Sequence, residues 1–585
     1  MMQADTADVV RTKKQSQQME CVTINYDDAV YHALFEPDFE HPAHTMPERL
    51  SRVHPLIIYD NLPQIYADCE SVQRKVLAEI LQRAQGSAYA MDHRLDGVHT
   101  LEEWRRVAQA SLYADYRPYI EAEMAGEKGQ LYHAETAMYV ATTGSTGAIK
   151  YFLESTAGNT AKDFMMTVRG LYLRHTLPII ADMSAKNLTI TNYAPVDNGH
   201  DTNTLTVRAS GQTARNIRKR TGTMNILSVS FWEAAGISAR DRDYMIGVYV
   251  LAEEKFSKVC CNNLIHFGRI LDRIIDEGAQ MIQDIRTGSF SVPIPQEVQT
   301  MLREEFLPNP QRADALQQIY EQHNCLITCP EDIEAIWPEL QAAMGWLAAS
   351  VGRDAREVLR RLPKKVKCHD MGYGASEGKL TIPMKLGVAA GACAPFNCFY
   401  EFLPIDQKHM ADAQPLCMWE VEKGKYYELL ITTYSGLYLY NMLDVVKVVD
   451  FVGKTPVILF CGKSSDQIVV EDSVVYGYQI ADLAQMVEHA LGIEFDLVQA
   501  LAQPDGYSLV VETKSDLALN VIKKAVDDAT QNLLVGRAPR HIYRMSHDYK
   551  DSLFTERTRI DRGACGIKLP VVVEMLPQEK IVECL

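Results

Sequence analysis

The chain has 585 residues, 47% hydrophobic and 23% charged, the composition of an ordinary globular protein long enough for two to four domains. Its formal net charge of −17 excludes general nucleic-acid binding and docking on an anionic membrane, so any nucleotide must be held by local donors. No run of 18 apolar residues occurs and residues 1–18 are polar, so neither a membrane span nor a secretory leader is expected.

The 13 cysteines are scattered, and neither Cys260-Cys261 nor Cys325/Cys329 has a second pair at zinc-ligand spacing. Reduced thiols in a cytoplasmic protein, without structural zinc, are the expectation. Residues 1–70 read as an irregular N-terminal arm, because Pro37, Pro42, Pro47, Pro55 and Pro63 interrupt them. Helical spacing is predicted over 72–90. A second helix starts at Thr100, where Thr100-Leu-Glu-Glu103 forms a capping box. A third runs from Tyr113 to Gly126.

The chain then enters Tyr139-Val-Ala-Thr-Thr-Gly-Ser-Thr-Gly-Ala-Ile-Lys150. Such a loop can wrap hydroxyls and backbone N–H groups around phosphate oxygens, since glycine permits close approach. The lysine is too far from the last glycine for the P-loop of nucleotide hydrolases. A polar turn between a strand and a helix is the alternative.

Beyond the loop a helix is expected over 161–175, stopped by Pro178, and the Thr/Asn-rich stretch 183–220 reads as short strands or an insertion. Helices are predicted over 241–261 and 263–285. In the second, Leu264, Phe267, Leu271, Ile274, Gly278, Met281 and Ile285 form one apolar stripe. Strands are expected over 366–371, 398–403, 427–433, 445–451 and 457–461. Past Gly462 the pattern becomes compact strand–helix alternation, with helices over 480–491 and 517–534 and a strand over 507–512. The domains are therefore drawn as 1–70, 71–464 and 465–585.

Four further stretches carry chemistry. Gly372-Tyr-Gly-Ala-Ser-Glu-Gly378 is a glycine-rich turn after a strand. Asp444, opening a β-branched strand, can accept two ribose hydroxyls or cap its own turn. Gly462-Lys-Ser-Ser-Asp466 lies at the composition change. Lys568, in Gly566-Ile-Lys-Leu-Pro570, can bridge a carboxylate and a phosphate as charge builds between them, or sit on the surface.

In this order the stretches resemble the acyl-acid amido synthetase family, within the acyl-adenylate-forming superfamily. Its plant members conjugate jasmonate and auxin to amino acids, and it has bacterial relatives. Thr100-Leu-Glu-Glu, Tyr116-Arg-Pro-Tyr-Ile-Glu, Asp284-Ile-Arg-Thr-Gly, Ile336-Trp-Pro, Phe399-Tyr-Glu-Phe-Leu-Pro404 and Thr432-Thr-Tyr-Ser-Gly-Leu-Tyr438 carry it outside the phosphate loop. The resemblance implies an α/β fold, with a large N-terminal adenylate-forming domain of mixed sheets and helices and a small α+β C-terminal lid. It implies a ligase that uses ATP and Mg²⁺ to adenylate a carboxylic acid, then passes the acyl group to an amine, that of an amino acid. No nucleic-acid or membrane partner is implied.

By the same resemblance Thr142, Thr143, Gly144, Ser145, Thr146 and Gly147 line the phosphates, and Tyr373, Gly374, Ala375 and Ser376 the adenine and α-phosphate. Glu377 holds the metal and Asp444 the ribose, while Lys463 and Lys568 assist catalysis. One wall of an acyl pocket falls to the 263–285 stripe. The family commonly reads Tyr-Arg-Tyr-Arg-x-Gly-Asp where this chain has Tyr438-Leu-Tyr-Asn-Met-Leu-Asp444. Two arginines and a glycine are absent, as are the aromatic residue before the late lysine, where Ile567 stands, and an arginine at Val571. The alternatives are an adenylating ligase with a thiol acceptor and a non-catalytic binding protein descended from the family.

Overall fold

The computed structural model describes residues 25–38, 41, 43–143, 149–176, 186–190, 204–208, 225–227, 231, 236–408, 410, 413–470, 473–533, 538–560 and 569–585. The stretch expected to be an irregular arm instead carries three helices, Asp28–Phe35, Met46–Leu50 and Pro55–Ala67. Pro47 and Pro55 fall in first helical turns, where a missing N–H has no intrahelical partner to lose. Val30, Leu34, Leu50, Ile58, Leu62 and Ile65 are buried. Arg49 fastens the segment, donating to Ala33 O at 2.9 Å, His44 O at 2.7 Å and Glu79 at 2.7 Å.

These helices join a core that gathers residues 30–168 and 380–458. Its centre is a seven-stranded sheet ordered Leu416–Cys417, Phe399–Pro404, Tyr426–Thr432, Tyr440–Val452, Thr455–Lys463, Gly391–Cys393, Thr381–Pro383. Every strand expected between 398 and 461 is present. The helix Leu101–Val107 starts on its capping box, with Glu103 N donating to Thr100 Oγ1 at 3.2 Å and Thr100 N to Glu103 Oε2 at 3.0 Å. The 72–90 helix is shorter than expected. Cys69–Ala84 ends before Gly86, whose φ of 74° breaks the helical path, and Ala88–Asp92 follows separately.

Between those two halves the chain builds a second core from residues 188–362 around a parallel sheet of Lys186–Ile190, Phe256–Cys261, Ala342–Gly345 and Lys367–Asp370. The helix expected over 241–261 is corrected here: Ala239–Ala252 is helical and Phe256–Cys261 is a central strand. Partners on both sides decide this, because a strand inside a parallel sheet draws its hydrogen bonds from distant chain. The helix Ile265–Thr287 buries Phe267, Leu271, Ile274, Gly278, Met281 and Ile285 in this core. Gly278 seats against Leu326, which an added Cβ would meet at 2.8 Å. The stripe therefore packs into this core.

After Lys463 the strands Val572–Val573, Leu497–Gln503, Gly506–Glu512, Ile542–Met545 and Ile581–Cys584 form a five-stranded sheet. The helices Gly477–Leu491 and Leu519–Leu533 pack with it around a third core. The whole is a mixed α/β fold, a large N-terminal part followed by a small α+β part.

Candidate active site

The strand Lys367–Asp370 ends in a tight turn. Asp370 accepts from Leu347 N at 2.8 Å and Gly372 N at 2.6 Å, and burial pushes its carboxyl up to about 6. Gly372 has φ 75°, and a Cβ there would lie 2.6 Å from Thr381 O, so only glycine turns the chain this way. Tyr373 N then donates to Thr381 Oγ1 at 2.8 Å and Ala375 N to Gly378 O at 2.8 Å, closing the small loop that carries Ser376 and Glu377.

Cations back this loop. Arg169, 4% exposed, donates to Met371 O and to Thr381 O. Lys162 donates to Ser376 O at 2.7 Å and pairs with the fully buried Glu154. Glu154 stands on the strand Ile149–Ser155, which pairs antiparallel with Thr136–Thr143. It also accepts from Ser435 Oγ at 2.9 Å, tying the hairpin to the Thr432–Tyr438 run. Lys379 crosses Gly374, where an added Cβ would meet its Cδ at 3.0 Å. Burial, with Arg169 and Lys162 nearby, pushes its ammonium down to about 7.

The second half of the site is a bulge. Asn441 lies opposite Leu430 and Val445 opposite Glu428, so Met442, Leu443 and Asp444 together face the single residue Leu429. Such an irregularity re-aims side chains. Leu443, at the position where the family carries glycine, has φ 53°, a left-handed conformation that costs an L-residue ~1–2 kcal/mol. Asp444 ends the bulge 4% exposed. The Tyr373 hydroxyl donates to its Oδ2, and Lys463 Nζ lies 2.5 Å from its Oδ1 and 3.0 Å from Met442 O. Burial disfavours the Lys463 charge, but Asp444 outweighs burial and holds the ammonium above its ordinary value. The Tyr373 ring stacks on Phe460 with centroids 5.4 Å apart. Burial first, then the nearby Glu377 and Asp444 carboxylates, raises the Tyr440 hydroxyl.

Tyr373, Glu377, Asp444 and Lys463, far apart in the chain, thus form one cluster, with Gly374, Ala375 and Ser376 on its turn. Thr142 and Thr143 end a strand of the hairpin, paired with Lys150 and Ile149, so the loop joins two strands and not a strand and a helix. The Thr143 side chain, Gly144, Ser145, Thr146, Gly147 and Lys568 lie outside the described residues. Sequence reasoning missed Glu154, Lys162, Arg169, Lys379 and Tyr440. For Glu154, Lys162 and Arg169 the one local signal is charge on otherwise apolar strand and helix faces, which solvated positions share.

The architecture is that of the acyl acid amido synthetases. The structure titled "AtGH3.15 acyl acid amido synthetase in complex with 2,4-DB" superposes with a TM-score of 0.75 over 91% of this chain and 96% of that one, at 16% identity. The chain belongs to the GH3 family: the GH3 family N-terminal domain matches residues 59–357 and the GH3 family central domain residues 391–463. Among its relatives, a rice protein named jasmonoyl--L-amino acid synthetase GH3.5 is 27% identical over 35% of this chain and 37% of its own length. The Arabidopsis thaliana putative indole-3-acetic acid-amido synthetase GH3.9 is 23% identical over 68% of this chain and 71% of its own.

Proposed function

We propose that the protein is an ATP-dependent acyl-acid amido synthetase. A carboxylate oxygen attacks the α-phosphorus of ATP and pyrophosphate leaves, giving an acyl-adenylate. The amine nitrogen of an amino acid then attacks the acyl carbon, AMP leaves, and an amide forms. The observation that carries this reading is the cluster in which the Tyr373 hydroxyl and the Lys463 ammonium converge on the Asp444 carboxylate, with Glu377 beside Tyr440.

In this reading Asp444 accepts the ribose hydroxyls, Tyr373 lies along the adenine, and the Thr142–Gly147 run and Ser376 receive the phosphates. Glu377 would hold Mg²⁺, a hard ion suited by one carboxylate together with phosphate oxygens, which neutralises triphosphate charge when bound. Lys463 pairs with the Asp444 carboxylate and holds it in place. Lys568 serves adenylation from the C-terminal part, offsetting charge between the carboxylate and the α-phosphate. The substrates are small molecules, with no nucleic-acid or membrane partner. Among the described residues no helix is long and apolar enough to cross a membrane. No disulfide joins the eleven cysteines among the described residues, which supports a cytoplasmic setting.

The test is ATP–pyrophosphate exchange with pooled carboxylic acids. Acid-dependent exchange and release of AMP are expected. Production of ADP and phosphate would overturn the adenylate reading.

A further inference from the structure

The bulge that presents Asp444 holds a leucine in a conformation glycine adopts freely, so something must hold it there. Leu443 N donates to Asn441 Oδ1 at 2.7 Å, and Leu443 O accepts from Ser464 N at 2.8 Å. The other end of the same carboxamide donates to Glu428 Oε2 at 2.7 Å. Glu428 in turn is anchored through Oε1 by Lys408 at 3.1 Å. Asn441 is 9% exposed and Glu428 3%, so little water is at hand to replace either bond. Asn441 is also the last residue before the bulge still in register with Leu430, and Val445 is the first one after it, in register with Glu428. The side chain therefore ties the residue at φ 53° to the neighbouring strand that it bulges away from.

We propose that Asn441 is a positioning residue: by bridging Leu443 N–H to Glu428 it holds the bulge that aims Asp444 at the nucleotide ribose, the work a glycine at 443 does without help. This rests on the function proposed above. An arginine at 441 has no acceptor for the Leu443 N–H, so the asparagine and the leucine belong together. Two departures from the family pattern that look like decay become one compensated pair.

The test uses four full-length proteins: wild type, Asn441→Ala, Leu443→Gly and the double variant. Isothermal titration with ATP, thermal melting and acid-dependent exchange kinetics are measured on each. Asn441→Ala is expected to weaken ATP binding about tenfold, the scale of a lost buried hydrogen bond, and to raise KM for ATP while kcat stays within about twofold. Leu443→Gly alone is expected to bind ATP normally. The double variant is expected to return to within about twofold of wild type, because glycine takes the left-handed conformation without support. Normal ATP affinity in Asn441→Ala, or no recovery in the double variant, overturns the proposal. If the wild type binds no adenine nucleotide, the functional reading falls and the ribose role with it. The melting cycle still decides the structural part: a loss on Asn441→Ala that shrinks in the glycine background supports the coupling, and an equal loss in both backgrounds refutes it.

Discussion

Asp444 has two partners of its own, the Tyr373 hydroxyl and the Lys463 ammonium, so its removal disturbs the protein as well as any bound nucleotide. Lys463 is 38% exposed and can turn to water when the carboxylate is gone. Asp444→Ala is therefore expected to weaken ATP binding by about 1.5–3 kcal/mol, the usual worth of hydrogen bonds to a charged acceptor, while melting shifts only a few degrees. Unchanged affinity by calorimetry alongside a collapsed melting point would make Asp444 a structural cap. The aspartate could be picked out in the sequence as a carboxylate opening a β-branched strand, able to accept ribose hydroxyls or to cap its own turn. That Tyr373 and Lys463 would pair with it could not be read there, since both meet it only in the folded chain. Asn441 looked like a lost arginine until its carboxamide was found bridging the Leu443 N–H and the Glu428 carboxylate.

Between the helix Leu101–Val107 and the strand Phe399–Pro404 a single buried pair sets a pH dependence. Trp104 Nε1 donates to Glu401 Oε2 at 3.1 Å, and Glu401 is 3% exposed. Burial pushes the Glu401 carboxyl up to about 8, against the lowering by Trp104 and Arg105. Between the ordinary value near 4.5 and about 8 the folded state keeps a proton that the unfolded chain has released. The group's contribution to stability is thus fully present below about 4.5 and is lost as pH rises through about 8. Relative to Glu401→Gln, which still accepts the tryptophan N–H, the wild type should lose up to about 1.4 kcal/mol per pH unit across that window. Urea unfolding of both proteins at several pH values checks it, and parallel curves would refute it.

At the scale of the whole molecule, the C-terminal part is pinned to the second core by charge. Lys550, 8% exposed, lies 2.8 Å from Asp354 and 2.9 Å from Glu357 on the helix Ala349–Arg361. Arg353 on that helix pairs with Glu488 and donates to Phe495 O at 3.1 Å. Arg269 lies over the Phe554 ring at 3.9 Å. A two-step reaction that exchanges lid orientations between adenylation and amide formation would have to open these contacts. Lys550→Met leaves Asp354 largely buried with Asn263 at 2.9 Å, and breaking such a pair costs up to about 3–5 kcal/mol. Faster hydrogen exchange is expected in the helix Tyr549–Ile560, with that in the strand Tyr426–Thr432 unchanged. Equal exchange in both proteins would mean that apolar packing, not charge, sets the lid's position.

Local chemistry by itself determined the capping box at Thr100, the strands between 398 and 463 and the strand–helix alternation of the C-terminal part. Each depends on side-chain period or turn preference within about ten residues, which a linear reading can detect. Only the tertiary structure decided the rest. Prolines that looked like interruptions became first turns once their helices had a core to bury against. The residues Phe256–Cys261 became a strand because Lys186–Ile190 and Ala342–Gly345 flank it. The large N-terminal part proved to hold two cores, the second built between two stretches of the first. The cations behind Ser376 and the asparagine behind Asp444 act through partners dozens to hundreds of residues away or through a backbone angle, and neither leaves a periodic trace in the chain.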